Sequence, residues 1–336
     1  MKYSFFINLS LFLSLSLTIA SQVQAFSNEG LSYDKRLSNY SYPFKTERFR
    51  FQSQNKSLEM SYMYLSGTDK KRSVVLLHGK NFNGAYWEET ALFLRNQGYN
   101  VLMPDQIGFG KSSKPKDYQY SFSALSRNTK QLMAYLNMEK AVIVGHSMGG
   151  MLATRFVLDY PEMSSRLILI NPIGLENYLR YVEYKDVEFF FNNELKKTAE
   201  KIMAYQRKNY YDGKWNDRYE ALTKPLVGFV QGPDRENIAF VNALTYDMIF
   251  TQPVVEDFAA LRVPGVLILG TRDRTGPGRN WIKKGVDYEL GRYDKLGRQI
   301  QQRNSAIVLY EIDGLGHLPQ IEDFDRFKEV FQKAMQ

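Results

Sequence analysis

The chain of 336 residues contains no cysteine. Disulfides, thiolate metal sites, a cysteine nucleophile and a lipid-modified N-terminal cysteine are therefore excluded. It contains three histidines, so the search for an imidazole base is a short elimination. It also lacks massed charge of one sign. Lys+Arg 44 against Asp+Glu 36 leaves a net charge of +8, but the positive residues are spread along the chain. A nucleic-acid or membrane-surface binder would concentrate them. The one mild cluster, Lys196, Lys197, Lys201, Arg207, Lys208 and Lys214, reads as a solvated helix face. No internal repeat is visible. With 44% hydrophobic and 24% charged residues, the composition is globular, with chain enough for one large core or two modest ones.

The apolar run from Phe5 to Ala20 follows Lys2 and is broken by Asn8, Ser10, Ser14 and Ser16, which makes it a poor permanent membrane anchor. Val23-Gln24-Ala25 puts small residues where a signal peptidase reads. Residues 1–25 are therefore expected to be a leader cleaved after Ala25, and the mature protein periplasmic or secreted. Residues 26–46 are polar and tyrosine-rich and read as an N-terminal arm.

From Phe49 to Leu65 the residues alternate with period two, which predicts a β-hairpin at a sheet edge. Ser73–Leu77, Val101–Pro104, Ala141–Val144, Leu167–Ile170, Val263–Leu269 and Ala306–Tyr310 are short apolar runs of the kind buried on both faces of a parallel sheet. Helical spacing separates them at Ala85–Asn96, at Phe122–Leu136 and from Met151 to Tyr160, and a closing helix runs from Phe324 to Met335. Strand and helix alternate, which implies a mostly parallel sheet covered by helices on both faces. Residues 172–260 break the alternation. They are dense in aromatics and carry helical spacing around Val187–Tyr205, so they are expected to form a helical cap inserted between the two parts of the core, 47–171 and 261–336.

The segment Gly145-His146-Ser147-Met148-Gly149-Gly150 joins an apolar strand to a helix. A serine held on a sharp turn there needs small neighbours, which Gly145 and Gly149 supply. Taken alone the pattern also fits an ordinary strand-to-helix turn, so the rest of the site decides. A serine hydroxyl needs a base. His78 opens the loop after the first buried strand, and His146 should point to the sheet side of the turn. His317 lies in a loop after a strand at the same end of the sheet as Ser147. An imidazole base needs a carboxylate to fix its tautomer. Asp273 follows the strand ending at Leu269 and is preferred to Asp313, which is too near His317 in sequence to meet the ring at a useful angle. Two N–H donors are needed for an oxyanion. They are expected to be the amides of Met148 and Lys80, with Asn81 the second choice for the latter. The Lys80 side chain is expected to point to solvent.

Four stretches carry a resemblance: LLHGKNFNGAYWE, PDQIGFGKSSKP, VGHSMGG, and the pair GTRDRTGP and GLGHLPQIED. Together and in this order they resemble the α/β-hydrolase fold superfamily over roughly residues 47–335, closest to its capped branch of small esterases, carbon–carbon bond hydrolases, cofactor-free haloperoxidases and proline iminopeptidases. The resemblance implies Ser147 as nucleophile, His317 as base and Asp273 as acid. The expected activity is that of an exported serine hydrolase cleaving a carboxylic ester or related acyl bond, with no metal and no cofactor. The alternatives are a carbon–carbon hydrolase or an aminopeptidase on the same triad, the latter requiring a carboxylate cluster such as Glu183, Asp186 and Glu188. A non-catalytic binding protein on this scaffold is the remaining reading. The expected substrate is a small apolar or aromatic acyl compound in a pocket near Phe82 and Trp87, uncharged in preference to charged. Neither nucleic acid nor stable membrane insertion is expected.

Overall fold

The computed structural model describes residues 30–336. The expected leader and residues 26–29 of the arm lie outside the described residues. Among these, one sheet contains β1 (Thr46–Ser53), β2 (Lys56–Leu65), β3 (Ser73–Leu77), β4 (Asn100–Pro104), β5 (Ala141–His146), β6 (Ser164–Ile170), β7 (Gly265–Gly270) and β8 (Val308–Ile312), in the order β1-β2-β4-β3-β5-β6-β7-β8. The β1–β2 hairpin is antiparallel and occupies one edge, β2 pairs antiparallel with β4, and every later pairing is parallel.

The central strands alternate between two cores. Val75, Leu77, Ile143, Leu167, Leu169, Leu267 and Leu269 face one side, while Val74, Leu76, Val142, Val144, Ile168, Ile170, Val266 and Ile268 face the other. Because successive strand side chains point to opposite faces, a run apolar at every position needs cover on both. Full burial of such a side chain is worth about 1.5–3 kcal/mol. The first face is covered by α2 (Phe122–Tyr135), α3 (Met148–Asp159) and, after β7, a helix at Tyr293–Arg303. The second is covered by α1 (Glu88–Asn96) and the closing helix at Phe324–Ala334.

Between β6 and β7 the chain forms α4 (Tyr178–Tyr181), α5 (Val187–Leu195), α6 (Ala199–Asn209), α7 (Asp217–Val230) and α8 (Arg235–Thr251). The helices after β7 are thus α9 (Tyr293–Arg303), α10 (Pro319–Glu322) and α11 (Phe324–Ala334). The arm ties this inserted block to the core. Tyr33 lies against Gly228 and Gly232, where any Cβ would collide with it. Leu37 packs with Phe229 and Ile238, and the Tyr42 hydroxyl donates to buried Asp105 at 2.7 Å.

Strand β8 is displaced from its expected place. It begins at Val308, two residues later than the apolar run, because Asn304 closes a turn through Ala306 N (3.1 Å) and Ile307 N (3.1 Å). Ile307 fills the core below that turn, whereas Val308 at the sheet edge is 44% exposed.

Candidate active site

The site is assembled where β5, β7 and β8 end on the same side of the sheet. Ser147 follows β5 directly with φ 55° and ψ −124°, a conformation that L-residues rarely adopt. The turn survives because its neighbours are bare backbone. A Cβ on Gly145 would collide with the Gly149 carbonyl oxygen, and one on Gly149 with the Leu77 carbonyl oxygen. Helix α3 starts at Met148, so its positive end faces the serine.

The structure brings Ser147, His317 and Asp273 together. His317 Nε2 lies 3.0 Å from Ser147 Oγ, and His317 Nδ1 lies 2.7 Å from Asp273 Oδ2. A carboxylate only accepts, so Nδ1 carries the proton and Nε2 is left to accept from the serine hydroxyl. Asp273 is held by two further donors, Asn171 Nδ2 at 2.9 Å and the Thr275 amide at 2.8 Å. Burial acts to raise the Asp273 carboxyl, but the His317 ring and the hydrogen bonds from His317 and Thr275 outweigh it and hold the group below the ordinary carboxylate range. Asp313 does not take part: it accepts from Thr271 Oγ1 at 3.0 Å on the exposed side of the loop.

The candidate oxyanion donors flank the serine. Met148 is the first residue of α3, where an amide has no acceptor within its own helix. The loop carrying Lys80 passes so close that a Cβ on Gly79 would stand 3.0 Å from Ser147 Cβ. Among the described residues the Lys80 amide has no protein acceptor.

Sequence reasoning missed three supports of this geometry. Asn171, at φ 36° after β6, accepts from the Gly270 amide at 2.9 Å while donating to Asp273. It was legible only as a strand-ending Asn-Pro pair. Tyr210 stacks on the His317 ring at 5.0 Å and 26°, and its hydroxyl receives Asn81 Nδ2 at 3.0 Å. The third support is His146. Its Nε2 lies 2.7 Å from the His317 carbonyl oxygen, which can only accept, so Nε2 carries the proton. Nδ1 then accepts from the Tyr86 hydroxyl at 2.9 Å, and Tyr86 in turn accepts from the Gly79 amide at 3.2 Å. Burial, with the adjacent His317, pushes the His146 imidazole well below its ordinary range, so it stays neutral. This chain of hydrogen bonds links the oxyanion loop to the loop that carries the base. His146→Phe should therefore lower kcat about tenfold to hundredfold through misplacement. It should also lower unfolding stability by about 1–3 kcal/mol, since a buried carbonyl loses its donor; steady-state kinetics and urea unfolding check this.

Two expectations are corrected. Trp87 does not line a pocket: it is completely buried in the second core, with its ring against Tyr86 and His146. Phe82 stacks on Tyr86 at 4.8 Å and, with Asn81, Tyr42 and Leu222, lines a cleft of about 660 Å³ between the loop, the arm and α7. The Lys80 side chain does not run to solvent. It reaches α8, with Nζ 5.3 Å from the centre of the Tyr246 ring. Desolvation pushes its ammonium down to about 8, partly offset by the charge of Glu194.

Many of the aromatics at 172–260 pack on one another, as in the group Phe190, Tyr246 and Phe250, against which Trp281 from beyond β7 also packs. The carboxylates Glu183, Asp186 and Glu188 are all exposed; Glu183 pairs with Lys185, and Asp186 caps α5. Among the described residues no group of three or more metal-ligating side chains converges, and no helix is long and apolar enough to cross a membrane.

A family model described as alpha/beta hydrolase fold matches residues 72–275. A crystal structure of a probable hydrolytic enzyme from Pseudomonas aeruginosa PAO1 is 39% identical and superposes with a TM-score of 0.87, covering 91% of this chain and 98% of that one. A 2-hydroxy-6-oxononadienedioate/2-hydroxy-6-oxononatrienedioate hydrolase of Comamonas testosteroni is 35% identical over 37% of this chain and 44% of that protein. A putative non-heme chloroperoxidase of Synechocystis is 34% identical over 33% of this chain and 40% of that protein. The matches to curated relatives span 30% to 63% of those proteins' length.

Proposed function

The chain belongs to the α/β-hydrolase fold family, and from that premise we propose that it is a serine hydrolase acting on a carboxylic ester or related acyl bond. The observation that carries the reading is the unbroken line from Ser147 Oγ through the His317 ring to Asp273, at 3.0 and 2.7 Å. Ser147 attacks the carbonyl carbon and passes its proton to His317 Nε2. The oxyanion is received by the amides of Met148 and Lys80. His317 then protonates the leaving group, deprotonates a water, and that water releases the acid from Ser147. Asp273, ionised by its surroundings, stabilises the imidazolium in both halves. This chemistry calls for no metal and no cofactor.

A second reading keeps the triad but cleaves a carbon–carbon bond. It is favoured by the likeness to the Comamonas testosteroni hydrolase. An aminopeptidase reading loses its support, because the carboxylates it needs at 183–188 face solvent. A hydrolysis screen with esters graded by acyl length, vinylogous 1,5-diketones and aminoacyl amides separates the three. Turnover of esters well above the other two classes supports the proposal, and turnover of diketones alone replaces it with the second reading.

We also propose that the protein is exported, on the strength of Lys2, the interrupted apolar run and Val23-Gln24-Ala25. Mass spectrometry of the mature protein is expected to place the N-terminus at Phe26, and a form retaining Met1 would contradict it.

A further inference from the structure

Two of the stretches that carry the family resemblance, GTRDRTGP and GLGHLPQIED, contain charged residues that the triad does not use. Arg272 directly precedes Asp273, and Glu322 ends α10 behind His317. The structure brings them into contact: Glu322 Oε2 accepts from Arg272 Nη2. The Glu322 side chain is 9% exposed and that of Arg272 26%, so the pair is largely removed from water. A buried ion pair is seldom a better source of stability than apolar residues of the same volume. What it offers is direction, because charge-assisted hydrogen bonds fix both partners.

The remaining hydrogen bonds of the pair lead to the loop that carries the base. Glu322 Oε1 accepts from the Gly316 amide at 2.8 Å. Arg272 Nε donates to the Gly314 carbonyl at 2.9 Å, and the Arg272 amide to the Leu315 carbonyl at 3.0 Å. The loop of the acid is thus joined to the loop of the base at Gly314, Leu315 and Gly316, immediately before His317.

This stretch cannot hold its own direction. Gly314 lies at φ 71°, and a glycine backbone is free to take many conformations. At Gly316 there is no room for a side chain: a Cβ would come within 2.8 Å of Glu322 Oε1, the Tyr210 carbonyl oxygen and Arg272 Nη2. One residue further on, the His317 carbonyl accepts from His146 Nε2 at 2.7 Å. The backbone is therefore gripped on both sides of the base. The inserted block meets the same cluster, since Tyr210 stacks on the His317 ring and Asp212 Oδ2 lies 3.9 Å from Arg272 Nε.

Resting on the serine-hydrolase reading, we propose that Arg272 and Glu322 are positioning residues for the base, setting the Gly316 backbone so that the His317 ring meets Ser147 Oγ and Asp273 Oδ2 at once. Those two contacts, at 3.0 and 2.7 Å, fix the ring closely. A misplacement of about 1 Å costs about a hundredfold in rate.

The test measures kcat and KM on one ester at about pH 8.5, because burial pushes the Glu322 carboxyl up to about 7. Glu322→Ala and Arg272→Met should each lower kcat about tenfold to hundredfold and leave KM within about twofold. The double variant should lose no more than about threefold beyond the worse single one, because the two act as a unit. Glu322→Gln keeps an acceptor for the Gly316 amide and should recover much of the loss. The second readout is proton NMR. The His317 Nδ1 proton, shared with Asp273, should resonate far downfield in the wild type and shift or broaden in Glu322→Ala. Leu132→Ala, a truncation of a fully buried residue of α2, controls for lost stability and should keep both kcat and the resonance. An unchanged kcat or an unchanged resonance in Glu322→Ala, or equal losses in Leu132→Ala, overturns the proposal. If Glu322→Ala does not fold, Glu322→Gln decides by the same readouts, with a loss of about threefold to tenfold expected. If no ester is cleaved, the rate of fluorophosphonate labelling replaces kcat. If Ser147 does not label either, the serine-hydrolase reading fails, and the resonance alone decides whether the pair places His317 on Asp273.

Discussion

Ser147→Ala is expected to lower kcat on any ester the protein cleaves by about 10⁵- to 10⁶-fold, leaving only what binding and the oxyanion donors provide. The alanine keeps the Cβ, so the strained turn at φ 55° is no harder to hold than with serine. The side chain that is lost donates to His317 Nε2 at 3.0 Å and supports no other part of the fold. Unfolding midpoints of the two proteins should therefore agree closely, and circular dichroism with urea checks this. A variant that folds normally and retains near-native turnover would remove Ser147 from the chemistry.

Asp273→Asn should cost about three to four orders of magnitude in kcat, as neutralising the acid does in other triads. The amide nitrogen cannot accept from His317 Nδ1–H, and an amide oxygen in its place leaves the imidazolium without a countercharge. Asn171 and the Thr275 amide also lose the carboxylate they now serve at 2.9 and 2.8 Å. Asp313→Asn removes a charge that meets only Thr271 at the surface, and its turnover should remain within about twofold, as for surface substitutions in general. Parallel steady-state kinetics on one ester rank the two, and the reverse ranking would move the acid to Asp313.

The parts of this molecule that repeat with a period were legible in the sequence. The fully apolar runs at Ser73–Leu77 and Leu167–Ile170 could be satisfied only by cover on both faces, and both are buried between the two cores. Gly145 and Gly149 read correctly as places where a side chain cannot fit, because turn chemistry is local. What escaped depends on where a side chain points after the loops have folded. Trp87 looked available because it sits in a loop near the site, yet the local helix turns it inward onto His146. Lys80 looked solvated because lysines usually are, yet α8 stands in its path. The bond from His146 to the His317 carbonyl joins residues 171 positions apart, and no local pattern announces it. Strand β8 slipped by two residues because the Asn304 turn, a side-chain to backbone contact, took Ala306 and Ile307 out of the ladder.

The central claim is that Ser147 is an activated nucleophile. The most direct measurement is intact-mass and peptide-mass analysis after exposure to a fluorophosphonate at neutral pH. The account predicts a single adduct, mapped to Ser147, that forms within minutes, is absent in Ser147→Ala and is strongly slowed in Asp273→Asn. An adduct that maps to another residue, or wild-type protein that stays unmodified at full probe excess, would contradict it.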